Sequence, residues 1–241
     1  MDRNRALEKI RQNIDRHGFH IYSIGASSTP RYLYTIGLSE QTGFELAFAG
    51  GSFFESSSAA HLIHTAAKSV AGQRSDPPAR LEVEGAGGLA IKSIHSTWTD
   101  RLLLGLSDFY HGKTPPCFQL VPEADRATID VPAMDTPFSA TDQPVWQWIE
   151  RPWPYSIAAD AMAVTDLRAL RGEKVKEAMR WEENEWELFA GPGDQIDRDD
   201  ARVVPLASLI GFDPSLEVVT RFEIGKGAWR DASEASWHPW G

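Results

Sequence analysis

Prolines crowd one stretch of this sequence and limit how the chain can be divided into folded units. Six of them fall between positions 122 and 154, at 122, 132, 137, 144, 152 and 154. Because proline lacks a backbone N–H and interrupts both helices and central strands, no long regular element fits there. The stretch therefore predicts a linker or a wrapping loop, carrying Trp146, Trp148 and Trp153, that divides the chain into units 1–155 and 156–241.

Net charge, hydropathy and cysteine content together limit which partners and which cellular compartment we expect. The net charge is −10, and the chain from Asp160 onward holds 17 acidic against 10 basic residues. A phosphate backbone is repelled by such a field, so we expect no nucleic-acid partner. No stretch approaches the about 18 apolar residues of a membrane span, and none resembles a signal peptide. Cys117 is the single cysteine, which is typical of a reducing compartment, and we predict a cytoplasmic protein without a membrane partner.

Hydrophobic periodicity predicts short strands alternating with helices. In the first unit, helices are expected at 3–17, 58–72 and 98–109, and strands at 19–24, 32–38 and 44–49. The connections between these three strands are short, so we expect them to pair as an antiparallel meander. In the second unit we expect a strand at Trp186–Phe189, a helix over 203–210 and an irregular tail from 225. The predicted class is α+β: an antiparallel meander with packed helices, plus a second, smaller α+β unit.

Several local motifs of the first unit point to a known family. They are His17-Gly-Phe-His-Ile-Tyr22, Tyr34-Thr-Ile-Gly-Leu38, Phe44-Glu-Leu46 and the downstream Phe118-Gln-Leu-Val-Pro122. Together they resemble the family designated domain of unknown function 4262 (DUF4262), over about residues 5–155. The sequence departs from the family pattern at Pro122-Glu-Ala-Asp125, where Pro-Asp is usual. The family brings no established activity, so the resemblance implies a domain and leaves its function open.

The second unit has a weaker resemblance of its own. Asn184-Glu-Trp-Glu-Leu-Phe-Ala-Gly191, Asp213-Pro-Ser-Leu216 and the stretch from Gly225 to Arg230 are similar to the immunity-type domains designated DUF2185. The departure is Asn184-Glu185, where Asp-Ser-Gly usually precedes the tryptophan. The resemblance implies that a small acidic domain binds a toxin-like protein partner.

Glu45 is the most unusual polar residue of the first unit, because it interrupts an otherwise apolar strand. If it is buried, its carboxyl needs a hydrogen-bond partner, which Thr35 or a tyrosine hydroxyl such as that of Tyr34 would supply. Two interpretations follow from this group. One is a structural hydrogen-bond network, and the other is a pocket for a small polar ligand lined by Tyr34, Thr35 and Glu45.

Histidines supply an alternative of a different class. His61 and His64 are three residues apart on a predicted helix and share a face, as metal ligation requires. A third ligand such as His111 would complete a site for a metal-dependent hydrolase acting on a small molecule. The competing interpretation is one half-buried and one exposed histidine, because no HExxH or cysteine-pair motif accompanies them. We assign no catalytic residue and no cofactor from the sequence.

Tryptophans and glutamates together carry the leading functional hypothesis. Eight of the nine tryptophans lie after position 145, and tryptophan is enriched where proteins bind partners. Trp181 and Trp186 stand among acidic residues that include Glu183 and Glu187. The sequence therefore favours a binding protein without catalysis, immunity-like, that takes a basic protein partner on an acidic, tryptophan-bearing surface. The alternative is that these rings hold the linker and the tail onto the two units.

Overall fold

The computed structural model describes residues 3–74, 76–231, 233 and 236–240 and shows helices packed on two six-stranded sheets. The helices are α1 (Arg3–His17), α2 (Ser39–Thr42), α3 (Ser56–Val70), α4 (Ser96–Leu102), α5 (Leu104–Phe109), α6 (Leu167–Leu170) and α7 (Leu206–Phe212). The strands are β1 (His20–Ile24), β2 (Tyr32–Ile36), β3 (Glu45–Ala49), β4 (Arg80–Val83), β5 (Gly87–Ser93), β6 (Cys117–Pro122), β7 (Met162–Asp166), β8 (Glu177–Glu182), β9 (Glu185–Phe189), β10 (Ala201–Pro205), β11 (Lys226–Trp229) and β12 (His238–Pro239). This architecture confirms the predicted α+β class.

The first sheet has the strand order β1-β2-β3-β6-β5-β4. Its first three strands pair antiparallel in sequence order, which confirms the meander. β3 then pairs in parallel with β6, because α3 and the β4–β5 hairpin intervene between them. All five residues of β3 are buried, since α3 covers one face of the sheet while α4 and α5 cover the other. A strand buried on both faces reads as a continuous apolar run, which is how 44–49 reads apart from Glu45.

One predicted helix is divided in the structure. The segment predicted as a single helix over 98–109 forms α4 and α5, which meet at Leu103. The backbone N–H of Gly105 donates a hydrogen bond to the hydroxyl of Tyr34 at 3.0 Å. This tertiary contact takes a donor that a continuous helix would use within itself, and periodicity cannot register it.

The proline-rich stretch wraps the first unit as an ordered loop. The His95 N–H donates to the Met134 carbonyl at 2.8 Å, and the Gln119 side chain donates to the Pro132 carbonyl at 2.9 Å. Met134 is fully buried. Of the two expectations for this stretch, the structure shows the wrapping loop. The division of the chain into units 1–155 and 156–241 stays a prediction.

A short 3-10 helix, Pro144–Ile149, connects the two cores. Its Trp146 is buried against the first unit and donates to the Asp130 carbonyl at 2.9 Å. Trp148, two residues on, packs against the second core and donates to the Ala207 carbonyl at 2.9 Å. Trp146 and Trp148 therefore hold this segment onto both units. This agrees with the interpretation that the tryptophan rings attach the linker to the two units.

The second sheet has the strand order β10-β7-β9-β8-β11-β12, with β7 and β9 parallel and the other pairs antiparallel. One face packs on α6, α7 and the 3-10 helix Pro214–Arg221. The opposite face, here called the outer face, carries a row of paired residues across five strands. In order across the sheet they are Val203, Val164, Glu187, Met179 and Gly227.

Two sequence expectations for this unit are wrong. The predicted helix over 203–210 begins as β10, and only its later part is α7. β11 and β12 lie in the tail expected to be irregular. Both errors have the same cause, since short strands acquire their conformation by pairing with distant residues. Among the described residues, no helix is both long and apolar enough to cross a membrane.

Candidate functional site

A fully buried carboxylate lies at the start of β3, where Glu45 has no exposed surface. Its Oε2 accepts a hydrogen bond from the Thr35 hydroxyl at 2.5 Å. Its Oε1 accepts from the Tyr110 hydroxyl at 2.5 Å and from the N–H groups of Gly37 at 2.9 Å and Ser39 at 3.1 Å. The predicted contact between Thr35 and Glu45 is therefore present, and a tyrosine joins it.

That tyrosine is Tyr110 and not Tyr34. The Tyr34 hydroxyl lies against Gly105, where a Cβ atom would come within 2.6 Å of it. Glycine at position 105 thus makes room for the Tyr34 ring end, which is held away from the carboxylate. Sequence reasoning missed Tyr110 because it follows α5, and nothing local to it indicates a partner 65 residues away.

The electrostatics of this group fit a closed network. Burial raises the pKa of Glu45 above its ordinary value of 4.5, and the hydrogen bonds from Thr35, Tyr110 and Ser39 offset part of that rise. Burial, followed by the nearby Glu45, also raises the pKa of the Cys117 thiol to about 12. The hydrogen bonds from Gly37 and Ser39 to Glu45 hold the turn after β2 against β3. The geometry favours the structural interpretation over the ligand pocket.

The structure gives the three candidate histidines different surroundings, with His61 and His64 on α3 and His111 in a turn beyond α5. His61 is exposed on α3, with its Nε2 3.4 Å from the Thr65 hydroxyl. The His64 ring packs 5.7 Å from that of Phe19, and His111 lies in an exposed turn with a positive φ of 52°. Throughout the part of the chain that the structure describes, no group of three or more His, Cys, Asp or Glu is placed to hold a metal ion. The described residues therefore contain no cluster of metal ligands that would support the hydrolase alternative.

The outer face of the second sheet contains an open cleft of about 370 Å³. Its lining residues are Glu177, Ala178, Met179, Trp181, Glu187, Phe189, Gly193, Asp194 and Trp240. Three of these are carboxylates and none is basic. Glu187 and Met179 are opposite each other on β9 and β8, as are Phe189 and Glu177, so strand pairing places all four on one face.

Two exposed tryptophans border this cleft. Trp181, at the end of β8, is 50% exposed, and Trp240, beyond β12, is 42% exposed. The Trp240 ring lies over Gly227 of β11, where a Cβ atom would collide with it. The backbone N–H of Trp240 also donates to the Gly227 carbonyl at 3.1 Å, so the segment that carries the ring is held against β11. Sequence reasoning noted the tryptophan-rich end of the chain, but Trp240 joins the cleft only because its segment folds back over β11.

The remaining predicted binding residues divide between core and surface. Trp186 is 1% exposed, so the expectation that it anchors a partner is wrong. Strand alternation turns it toward the helices, where its Nε1 donates to the Val219 carbonyl at 3.4 Å and the Arg180 guanidinium lies 4.8 Å from its ring centre. Glu183 is exposed in the turn between β8 and β9 and borders a separate groove. Glu187 lies in the cleft, as described above.

Carboxylates along this hairpin are not neutralised by its one arginine. Glu182 and Glu185 pair directly across the two strands, and both are exposed. Arg180 donates to the backbone carbonyls of Glu182 at 3.3 Å and Glu183 at 2.8 Å. Like charges directly opposite each other destabilise a sheet. The pairing therefore adds nothing favourable to folding and leaves an accumulation of negative charge beside Trp181.

Comparison with known proteins gives a match within the first unit alone. A family model described as domain of unknown function (DUF4262) matches residues 13–127, which include all six strands of the first sheet. The match confirms the resemblance carried by the motifs around Tyr34 and Phe44. No curated protein and no solved structure matches the chain. The cleft lies outside the matched residues, and the DUF2185 resemblance of the second unit stays a prediction.

Proposed function

We propose that this chain, whose residues 13–127 match the DUF4262 family model, is a cytoplasmic, immunity-like binding protein that takes a basic protein partner on the outer face of its second sheet. One observation carries the proposal: exposed aromatic rings and carboxylates line the same cleft, and none of its lining residues is basic. Aromatic rings supply the desolvated anchors of specific interfaces, and the surrounding charge selects and attracts the partner.

The stability cost of the arrangement supports a role in binding. The β8–β9 hairpin, residues 177–189, contains five acidic residues and one basic residue. Exposed ion pairs contribute little to folding, but unpaired like charges oppose it. An acidic surface of this kind raises the rate of encounter with cations, and its effect is screened over about 8 Å at physiological ionic strength.

Fluorescence anisotropy with a labelled decalysine peptide tests the proposal on the full chain. We expect binding that weakens as salt is raised, because the attraction depends on exposed charge. Changing both Glu183 and Glu187 to lysine is expected to weaken binding about tenfold, mainly by slowing association.

The matched control changes Glu8 and Asp15 to lysine, which alters the net charge equally on the exposed face of α1. It should leave binding nearly unchanged. If both double variants weaken binding equally, the peptide is responding to net charge and not to this surface, and the proposal is wrong. If salt has no effect, binding does not depend on exposed charge, and the proposal is wrong as well.

A further inference from the structure

The outer-face cleft has the chemistry of a site for one organic cation. Trp181 and Trp240 each have a partly exposed ring in the cleft. Glu187 lies on β9, opposite Met179 of β8, and also lines the cleft. The faces of tryptophan rings attract cations, and a nearby carboxylate adds to the attraction. Glu187 forms no ion pair or hydrogen bond with a described side chain, so its charge is available to a ligand.

We infer that this cleft binds an alkylammonium group, the charged end of a lysine side chain on the basic partner. The inference rests on the proposed function and names the group that the partner inserts. It assigns Trp181 and Trp240 as the aromatic walls and Glu187 as the carboxylate that faces the cation.

The arrangement of carboxylates favours an ammonium over a guanidinium. Arginine is preferred where two acceptors match its planar fork, whereas lysine is a compact point charge. Here Glu177 accepts the Gly193 N–H at 2.9 Å and is partly engaged. Glu187 lies on β9 and Asp194 in a separate 3-10 turn, so they belong to different elements. A single carboxylate pairs with either cation, but Glu187 and Asp194 lie on different elements and do not form one planar set of acceptors, so we assign the compact ammonium and test it against arginine below.

The surroundings of Trp181 and Trp240 differ from those of a tryptophan that only covers a sheet. A tryptophan that only covers a sheet is expected to pack against apolar neighbours, yet the neighbours here include Glu177 and Glu187. Trp229 provides the comparison on the same sheet. It is 40% exposed, but its ring contacts that of His238 in a tilted arrangement, with ring centres 4.8 Å apart, and does not line the cleft.

Choline and its neutral isostere 3,3-dimethylbutan-1-ol separate cation binding from simple burial of an apolar group. The indole N–H signals of the full chain are followed by NMR during titration with each compound. The signals of Trp181 and Trp240 are assigned from the Trp181→Phe and Trp240→Phe variants. We expect choline to shift these two signals selectively and the isostere to shift neither.

Substitutions then test the assigned roles. Trp181→Ala is expected to weaken choline binding about fivefold, and Glu187→Gln about threefold. Trp229→Ala and Glu8→Gln are the matched controls and should change nothing. Equal shifts with the neutral isostere, or choline shifts at other indoles only, would overturn the inference.

The two proposals fail in different ways. If decalysine binds with the expected salt and charge dependence but choline leaves both indole signals unmoved, the acidic surface binds a partner and the cleft does not take an ammonium. Decaarginine binding more tightly than decalysine would likewise reject the ammonium assignment alone. If choline binds selectively but decalysine does not, the cleft takes a cation and the proposed protein partner is wrong.

Discussion

Glu45 shows what a single buried carboxylate requires of its surroundings. A buried polar group that loses its partner costs the full desolvation penalty, so the four donors around Glu45 are interdependent. We expect Glu45→Ala to lower the free energy of unfolding by about 1–3 kcal/mol, because it leaves buried donors unpaired. Urea unfolding measures the change. Glu40→Ala, at an exposed position of α2, is the control and should differ little from the unmodified chain.

The pH dependence of stability provides a second test at the same residue. Because burial raises the pKa of Glu45 above 4.5, the folded state holds the carboxyl proton more tightly than the unfolded state. Stability contributed by that proton is present at low pH and is lost as pH rises from 4.5 through the folded-state pKa. Glu45→Gln carries no titrating proton. The difference in unfolding free energy between the two chains should change over that interval, and parallel pH profiles would contradict the expected titration.

Trp186 and Trp181 are five positions apart and have opposite environments. Trp186→Ala removes a large ring from the second core and should lower the free energy of unfolding by about 3–5 kcal/mol. Trp181→Ala removes a half-exposed ring and should change it by less than about 0.5 kcal/mol. Chemical denaturation of both variants gives the ranking. A greater loss at Trp181 would mean that its ring supports the fold and is not available for binding.

At the scale of elements, the carboxylates of the β8–β9 hairpin affect both the stability of the fold and the proposed binding of a basic partner. Glu182 and Glu185 face each other across the strands. Glu185→Lys replaces a like-charge pair with an opposite-charge pair and should raise the free energy of unfolding by about 0.2–1 kcal/mol. The same change should weaken decalysine binding.

The control for this hairpin prediction is Glu185→Gln, which removes repulsion without adding attraction. Thermal unfolding should place it between the unmodified chain and Glu185→Lys. If neither variant gains stability, the two carboxylates do not repel each other measurably, and the stability argument for a binding role is lost.

At the scale of the whole molecule, side-chain hydrogen bonds and cation–ring contacts join the two cores. Trp148 reaches from the wrapping loop to α7. The guanidinium groups of Arg126 and Arg171 lie 5.9 and 5.7 Å from the centre of the Phe53 ring. Arg202 of β10 donates to the Phe53 carbonyl at 3.0 Å. These contacts couple the stability of one unit to that of the other.

We therefore expect the unmodified chain to unfold in one calorimetric transition. Trp148→Ala should separate it into two, because the ring and its hydrogen bond to Ala207 are both lost. Trp181→Ala, far from this contact on the outer face, should keep a single transition. Two transitions in the unmodified chain would show that units 1–155 and 156–241 already fold independently.

The sequence by itself determined the features that depend on local chemistry. Helical periodicity located α1 and α3, short connections determined the β1–β2–β3 meander, and an acid within an apolar strand predicted that Glu45 would have a partner. Proline composition correctly excluded long elements between 122 and 154.

Only the tertiary structure decided what depends on distant residues. It joined Tyr110 to Glu45, divided α4 from α5, and buried Trp186 while leaving Trp181 exposed. The physical reason is that which side of a strand is buried depends on what packs there. Trp186 and Trp181 border the same acidic stretch of sequence, which does not tell them apart. Likewise, Trp240 reaches the cleft because the chain folds back over Gly227, a contact that residue types alone do not encode.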